Sequence, residues 1–310
     1  MVRFALRRLL AAVPVLLGAV TLSFFVLNLL PGDAVSTFVG GRQVTPEQRA
    51  VQRHELGLDE PLIVRYRDYL GDLATGDLGV SLKTAQPVDE RIGDQLPATL
   101  QLTSAAAGLA LLLGLAGGLS AALARRPGLD QAMSAAWLTV LSMPTFWLGL
   151  VLITTVSFSL GWLPATGNGS AESLILPTFT LAMGPAAIIA QVTRDALKRV
   201  EREPFIVTAR AKGLRRSQVV TRHALRNALI PALTITGLLF GALITSAVVV
   251  EEVFARQGVG RLLLGAVRDR DLPIVQAVVL LIALTFVVIN LLVDLLYAVI
   301  DPRIREGYSG

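Results

Sequence analysis

Few positions in this sequence could carry out covalent chemistry. It has no cysteine, which removes thiol nucleophiles, disulfides and thiolate metal sites. Its two histidines, His54 and His223, are far apart and fall on opposite expected sides of a membrane, so no histidine-based metal or catalytic cluster is expected. No glycine-rich loop ending in Gly-Lys-Ser or Gly-Lys-Thr is present, so ATP binding and hydrolysis by that route are not expected. The chain instead concentrates positive charge. Arg194 to Pro231 holds ten Lys and Arg against three acids, a local charge of +7 where the whole chain carries +5. Within it TARAKGL reads as a short helix closed by Gly213, because glycine readily takes the left-handed conformation at a helix C-terminus. SQVVTRHAL reads as a second, with Ser217 as a possible cap. A basic helix-turn-helix of this kind is a binding surface rather than a catalytic one.

The elements that must position it are apolar. Hydrophobic residues make up 53% of the chain, charged residues 16%, and mean hydropathy is +0.63, against about 25% charge in soluble domains. The expected fold is therefore an all-α integral membrane protein. An uncharged run from Leu9 to Leu30 follows Arg3, Arg7 and Arg8 and reads as an uncleaved anchor, since a secretory signal has a shorter apolar core. Five further spans are expected at about Thr99–Leu123, Met133–Gly161, Leu174–Thr193, Ala228–Val250 and Leu272–Val299, with Asp294 their only charged residue. Arg125, Arg126, the +7 stretch, Arg303 and Arg305 all fall on one side. By the positive-inside rule that side is cytoplasmic, together with both termini. Basic residues placed this way do not form a nucleic-acid stripe.

The expected organisation is an N-terminal span at 1–30, an extracytoplasmic cap at 31–97, a core at 98–300 and a cytoplasmic tail at 301–310. The core contains the basic loop at 194–231 and an outer re-entrant segment at 251–273. In the cap, Thr45, Pro46 and Gly57 bound one helical pattern. Leu62, Val64, Tyr66, Tyr69, Leu70 and Leu73 supply the packing face of another, while Gly76, Asp77 and Gly79 read as turn chemistry rather than a ligand site. Gly114 with Gly118, and Gly237 with Gly241, have the spacing of close helix packing, and Pro144 should kink the third span. In the re-entrant segment, Gly258 and Gly260 indicate a sharp turn before a short amphipathic helix to about Arg268. Asn290, Asp294, Tyr297 and Asp301 step by four, three and four along one helical face. Asp294 near the cytoplasmic end reads as a structural anchor, with a proton relay as the alternative.

The pattern TARAKGL, then His223, then ALRNALIP resembles the EAA loop of binding-protein-dependent ABC importer permeases in its dipeptide/oligopeptide (peptide/nickel) branch. PGDA, LGLDEP, GDLGVSL, GWLPATG and the C-terminal DPR resemble the same family in order, so the likeness covers nearly the whole chain. It implies six transmembrane helices with a coupling helix between the fourth and fifth. It implies ATPase-coupling roles for Val207, Thr208, Ala209, Arg210, Ala211, Lys212 and Gly213. Val207 stands where the general motif has its glutamate, and Arg226 replaces its closing proline. Glu251, Phe254, Gly258 and Gly260 match a segment on the outer, binding-protein side, where they are expected to form part of a gate. Asp294, Tyr297, Asp301 and Arg303 match the C-terminal signature and are expected to anchor the cytoplasmic ends.

The resemblance further implies a non-catalytic, multi-pass subunit of the bacterial cytoplasmic membrane, surrounded by lipid. Its partners would be a second permease, two P-loop ATPases that bind ATP and Mg, and an extracytoplasmic binding protein, with no nucleic acid. Neither cofactor nor metal is expected in this chain. Peptides are the expected cargo, with nickel chelates, glutathione or haem as alternatives. A secondary transporter or a purely structural membrane subunit is the expectation of another class.

Overall fold

The structure, a computed structural model, describes residues 2–29, 59–124, 126–200 and 225–300, with single positions at 45, 47, 51, 54, 203, 204, 206, 213 and 218. Within the helices it leaves out the side chains of 2–7, 9, 127, 225–231, 233, 234 and 293–300. Among the described residues the regular elements are helices, with one isolated bridge between Val80 and Pro87. They are α1 (Val2–Leu29), α2 (Leu62–Thr75), α3 (Val88–Leu123), α4 (Pro127–Ser142), α5 (Thr145–Leu152) running into a π-helical turn (Ile153–Ser159), α6 (Glu172–Val200), α7 (Leu225–Val253), α8 (Val259–Asp269) and α9 (Leu272–Ile300). Among the described residues five helices are long and apolar enough to cross a membrane, or six if the bent pair α4 and α5 is one span. Helices suit that environment because they satisfy their own backbone polar groups.

The centre of the bundle is the α3–α6 pair, closed by small residues. A Cβ on Gly114 would lie 2.6 Å from Ile189 Cβ, and one on Gly118 would lie 2.6 Å from the Ala190 carbonyl oxygen. Glycine at both positions lets the two backbones approach. Leu102, Ala106, Ala110, Leu181, Ala186 and Ile189 fill the seam, and Ala247 and Val250 of α7, with Phe254 just past its end, complete the core against it. Gly241 of α7 likewise faces the Phe286 ring of α9, 2.8 Å from where a Cβ would stand.

Three boundaries differ from the sequence expectation. α3 has 36 residues, about 54 Å at 1.5 Å per residue, well beyond the roughly 30 Å hydrocarbon core. It therefore includes Val88–Leu96, which the sequence assigned to the cap. Val88 and Ile92 are buried against Val259, Leu262, Ile274 and Val278, and Asp89 and Glu90 suit the positive N-terminal end of the helix. Similarly, α6 runs on through Arg194 to Val200, so the basic stretch begins as helix. The stretch expected as the third span is two helices that meet at 98° across Met143 and Pro144, a far sharper bend than the expected kink. Pro144 lacks an N–H and stands as the cap of α5.

Within the 31–97 stretch, α2 packs on α1. Tyr69 stacks on Phe24 of α1 and Tyr66 packs tilted against it, with ring centroids 5.5 and 5.2 Å away, and Tyr66 OH bonds Thr21 Oγ1 at 2.6 Å. The helix ends at Gly76 in the left-handed conformation. Asp77 Oδ1 then accepts the Gly79 N–H at 2.7 Å, which is turn chemistry. Most of the Thr45–Gly57 pattern lies outside the described residues.

Candidate functional site

Two ends of the bundle carry polar structure. At the turn end, segments 76–87, 161–171 and 254–258 come together. α7 runs to Val253, the chain reverses through Phe254–Gln257, and α8 begins at Val259. The opening amides of a helix have no intrahelical acceptor. Here they find one in the preceding helix: Glu251 Oε2 accepts the N–H groups of Gly260 at 2.8 Å and Arg261 at 3.3 Å. Thr99 of α3 accepts the Val259 N–H at 2.9 Å and donates its hydroxyl to Glu251 Oε1 at 2.6 Å. Glu251 is fully buried. Its carboxylate lies 2.3 Å from where a Cβ on Gly258 would stand, and a Cβ on Gly260 would meet the Val248 backbone at 2.4 Å.

The rest of the turn is tied in the same manner. Ala255 takes a left-handed φ of 48°. Arg256, 2% exposed, donates to Gln101 of α3 at 3.3 Å. Burial pushes its guanidinium below the usual pKa, and the Glu251 carboxylate opposes that shift. Asn168 and Gln257 bond reciprocally at 2.8 and 2.9 Å, and Gly167 N–H reaches the Phe254 carbonyl. Phe254 is buried and lies 3.2 Å from the Cβ that Gly149 of α5 lacks. Thus Glu251, Phe254, Gly258 and Gly260 meet in one buried knot whose product is the fixed direction of α8. Thr99, Arg256 and Asn168 complete it, and sequence reading assigned none of them a place in the site, because their bonds to it or to α3 are made through space.

A second buried carboxylate closes the same end. Asp271, between α8 and α9, accepts the Ser81 hydroxyl and the N–H groups of Leu82 at 3.1 Å and Lys83 at 3.4 Å, while Lys83 pairs with Asp269. A polar cavity of about 590 Å³ lies beside this clasp, between α3 and α8.

At the loop end, α6 enters the basic stretch. Asp130 of α4 receives Arg194 Nε at 2.6 Å and Nη2 at 2.8 Å, together with Lys198 Nζ. One turn further into α4, Ser134 Oγ donates to Gln191 Oε1, and Gln191 Nε2 donates to the Ser134 carbonyl, both at 3.0 Å. Asp130 went unnamed in the sequence reading, although it is the only charged residue of α4. Gly213 is exposed with φ +81°, the left-handed conformation in which side chains are disfavoured. Val207, Thr208, Ala209, Arg210, Ala211 and Lys212 lie outside the described residues, as do Asp301 and Arg303 and the side chains of Asp294 and Tyr297. Asn290 on the same face donates to its own helix at Phe286. Among the described residues no group of His, Asp and Glu is arranged to hold a metal.

Residues 114–306 match the family described as binding-protein-dependent transport system inner membrane component, and residues 1–103 match its N-terminal counterpart. The chain belongs to this family. This permease is 41% identical to the di/tripeptide transport system permease protein DppB of Pseudomonas aeruginosa, with 99% of both chains covered. It is 42% identical to the glutathione transport system permease protein GsiC of Salmonella choleraesuis over 98% of this chain and 99% of that one. Its fold is similar to inward-facing structures of the MetNI methionine ABC transporter, with TM-scores of 0.56 and 0.59 at 20% identity, covering 68% of this chain and 96% of that one. The permease is thus an inner-membrane subunit of a bacterial ABC importer, non-catalytic by itself, and its family works with ATPase and substrate-binding partners. The readings as a secondary transporter or as a purely structural subunit give way to this one.

Proposed function

We propose that this permease forms half of a translocation path for short peptides, glutathione among them, delivered by an extracytoplasmic binding protein. The full-length likeness to DppB and GsiC supports that cargo class. The other half of the path is a second permease, and two P-loop ATPases holding ATP and Mg supply the energy. The loop end and both termini face the cytoplasm, and the turn end faces the binding protein. Asp294, Tyr297, Asp301 and Arg303 anchor the cytoplasmic ends.

One observation carries the mechanism. α6 is the most buried of the candidate spans and continues without interruption into the basic stretch. A pull on the Val207–Gly213 coupling segment therefore acts on the centre of the bundle. ATP-driven closure of the partners favours one packing of the bundle and hydrolysis restores the other, a population shift driven by differential affinity. At the far end the Glu251 knot makes α8 a rigid part of the outer gate rather than a free flap.

The test is to tag the chain in its host, solubilise it gently and identify what co-purifies. P-loop ATPases and a second permease are expected, with the ATPases lost in Gly213→Trp. Uptake of labelled dipeptide and of glutathione by the complete complex then identifies the cargo; uptake of neither overturns the peptide reading.

A further inference from the structure

α4 presents one polar and aromatic face to its neighbours. Asp130, Ser134 and Trp137 step by four and three residues, so they share that face. Asp130 takes the bidentate grip of Arg194 and the ammonium of Lys198; Ser134 exchanges two hydrogen bonds with Gln191; Trp137 lies 2.5 Å from the Cβ that Gly117 of α3 lacks. On α6 the partners Gln191, Arg194 and Lys198 step by three and four. Two matched faces are therefore joined over two turns. Asp130 is the sole charge on α4 and is 9% exposed. A charge in that setting is retained when it is paired.

We propose that Asp130 is a positioning residue for the transport cycle, making α4 travel with α6 as one body when the coupling loop is displaced. The proposal rests on the reading of 194–231 as the coupling loop. Arg194 and Lys198 stand on the last turns of α6, in the helical start of that loop and ahead of its Val207–Gly213 segment, so the clamp sits where the displacement enters the bundle. Beyond it α4 leads to the 98° break at Pro144, and past the break Gly149 of α5 lies against Val253 and Phe254, 3.1 and 3.2 Å from its missing Cβ. Those two residues carry the turn that ends at the Glu251 knot. The chain of contacts is therefore continuous: coupling loop, α6, Asp130, α4, the break, α5, and the base of α8. A rigid body with a defined break is the kind of element that converts a small shift at one end into a discrete change at the other.

The absence of cysteine makes the test clean, because introduced cysteines are the only ones in the chain. The complete importer is prepared with the native chain, with Asp130→Asn, with the pair Ser134→Cys and Gln191→Cys, and with all three changes. The pair is closed by a short bifunctional thiol reagent. Three readouts are taken: co-purification of the ATPases, ATP hydrolysis, and uptake of labelled dipeptide into proteoliposomes. Asp130→Asn is expected to keep the ATPases and hydrolyse ATP while uptake falls about tenfold or more, within the usual range of a coupling energy. Closing the cysteine pair should leave uptake unchanged with Asp130 present, and should restore it in the Asp130→Asn background.

Blocked uptake on closing the pair beside native Asp130 would show that α4 slides against α6 during the cycle, and would overturn the proposal. So would normal uptake by Asp130→Asn, failure of the closed pair to restore that variant, or loss of the whole complex from the membrane. A native complex that binds no ATPase would instead bring down the coupling-loop reading itself, before Asp130 is reached.

Discussion

The Glu251 carboxylate accepts the Gly260 N–H at 2.8 Å, nine residues on and across a chain reversal. One helix thereby ends by capping the next. A negative group at a helix N-terminus is stabilised both by the free amides and by the helix dipole, and Thr99 ties the arrangement to α3. Glu251→Ala leaves the Thr99 hydroxyl and the Gly260 and Arg261 amides without their acceptor. The loss should be about 3 kcal/mol, read as a lower midpoint of thermal unfolding in detergent. Glu251→Gln keeps one carbonyl acceptor and should cost about half of that; equal stability of all three proteins would refute the capping role.

Glycine is required at the knot for space. Gly258→Ala and Gly260→Ala place a methyl 2.3 Å from the Glu251 carboxyl carbon and 2.4 Å from the Val248 backbone. Such overpacking costs about 1–3 kcal/mol. Gly265 lies inside α8 with nothing within 4 Å of its missing Cβ, so Gly265→Ala should instead stabilise by about 0.5–1 kcal/mol. Unfolding of the three variants in one detergent separates the two outcomes.

The clasp between residues 81–83 and the junction of α8 with α9 should behave asymmetrically. Asp271 is 2% exposed and accepts from three groups, whereas the Lys83 side chain in its pair with Asp269 is 55% exposed. Asp271→Ala should speed amide hydrogen exchange at Leu82 and Lys83 markedly. Lys83→Ala should change stability by less than about 1 kcal/mol. Similar exchange at those two amides in both variants would count against Asp271 as the fastening group.

At the centre, Gly118→Leu drives a side chain into the Ala190 carbonyl and Thr193 Cβ, each 2.6 Å from a Cβ alone. Because backbone is among the obstructing atoms, no rotamer relieves it, and α3 must separate from α6. The membrane-inserted yield of Gly118→Leu should fall severalfold. Gly18→Leu on α1, where nothing lies within 4 Å, should leave it unchanged.

Class, spans and candidate segments were readable in the sequence because they are local properties. An apolar run long enough for a bilayer is contiguous, a basic loop between two such runs is contiguous, and a turn at Gly76–Gly79 or Gly213 needs only its own residues. Helix limits were less readable, since α3 reaches back to Val88 through contacts with α8 and α9 that no local pattern records. Pairings were not readable at all. Glu251 with Thr99, Asp271 with Ser81, and Asp130 with Arg194 join residues 152, 190 and 64 positions apart, and a buried charge declares its partner only once the chain has folded. Periodicity and hydropathy thus determined that membrane helices form and roughly where. The tertiary structure alone decided which carboxylate holds which amide or cation, because that choice is made by packing across space.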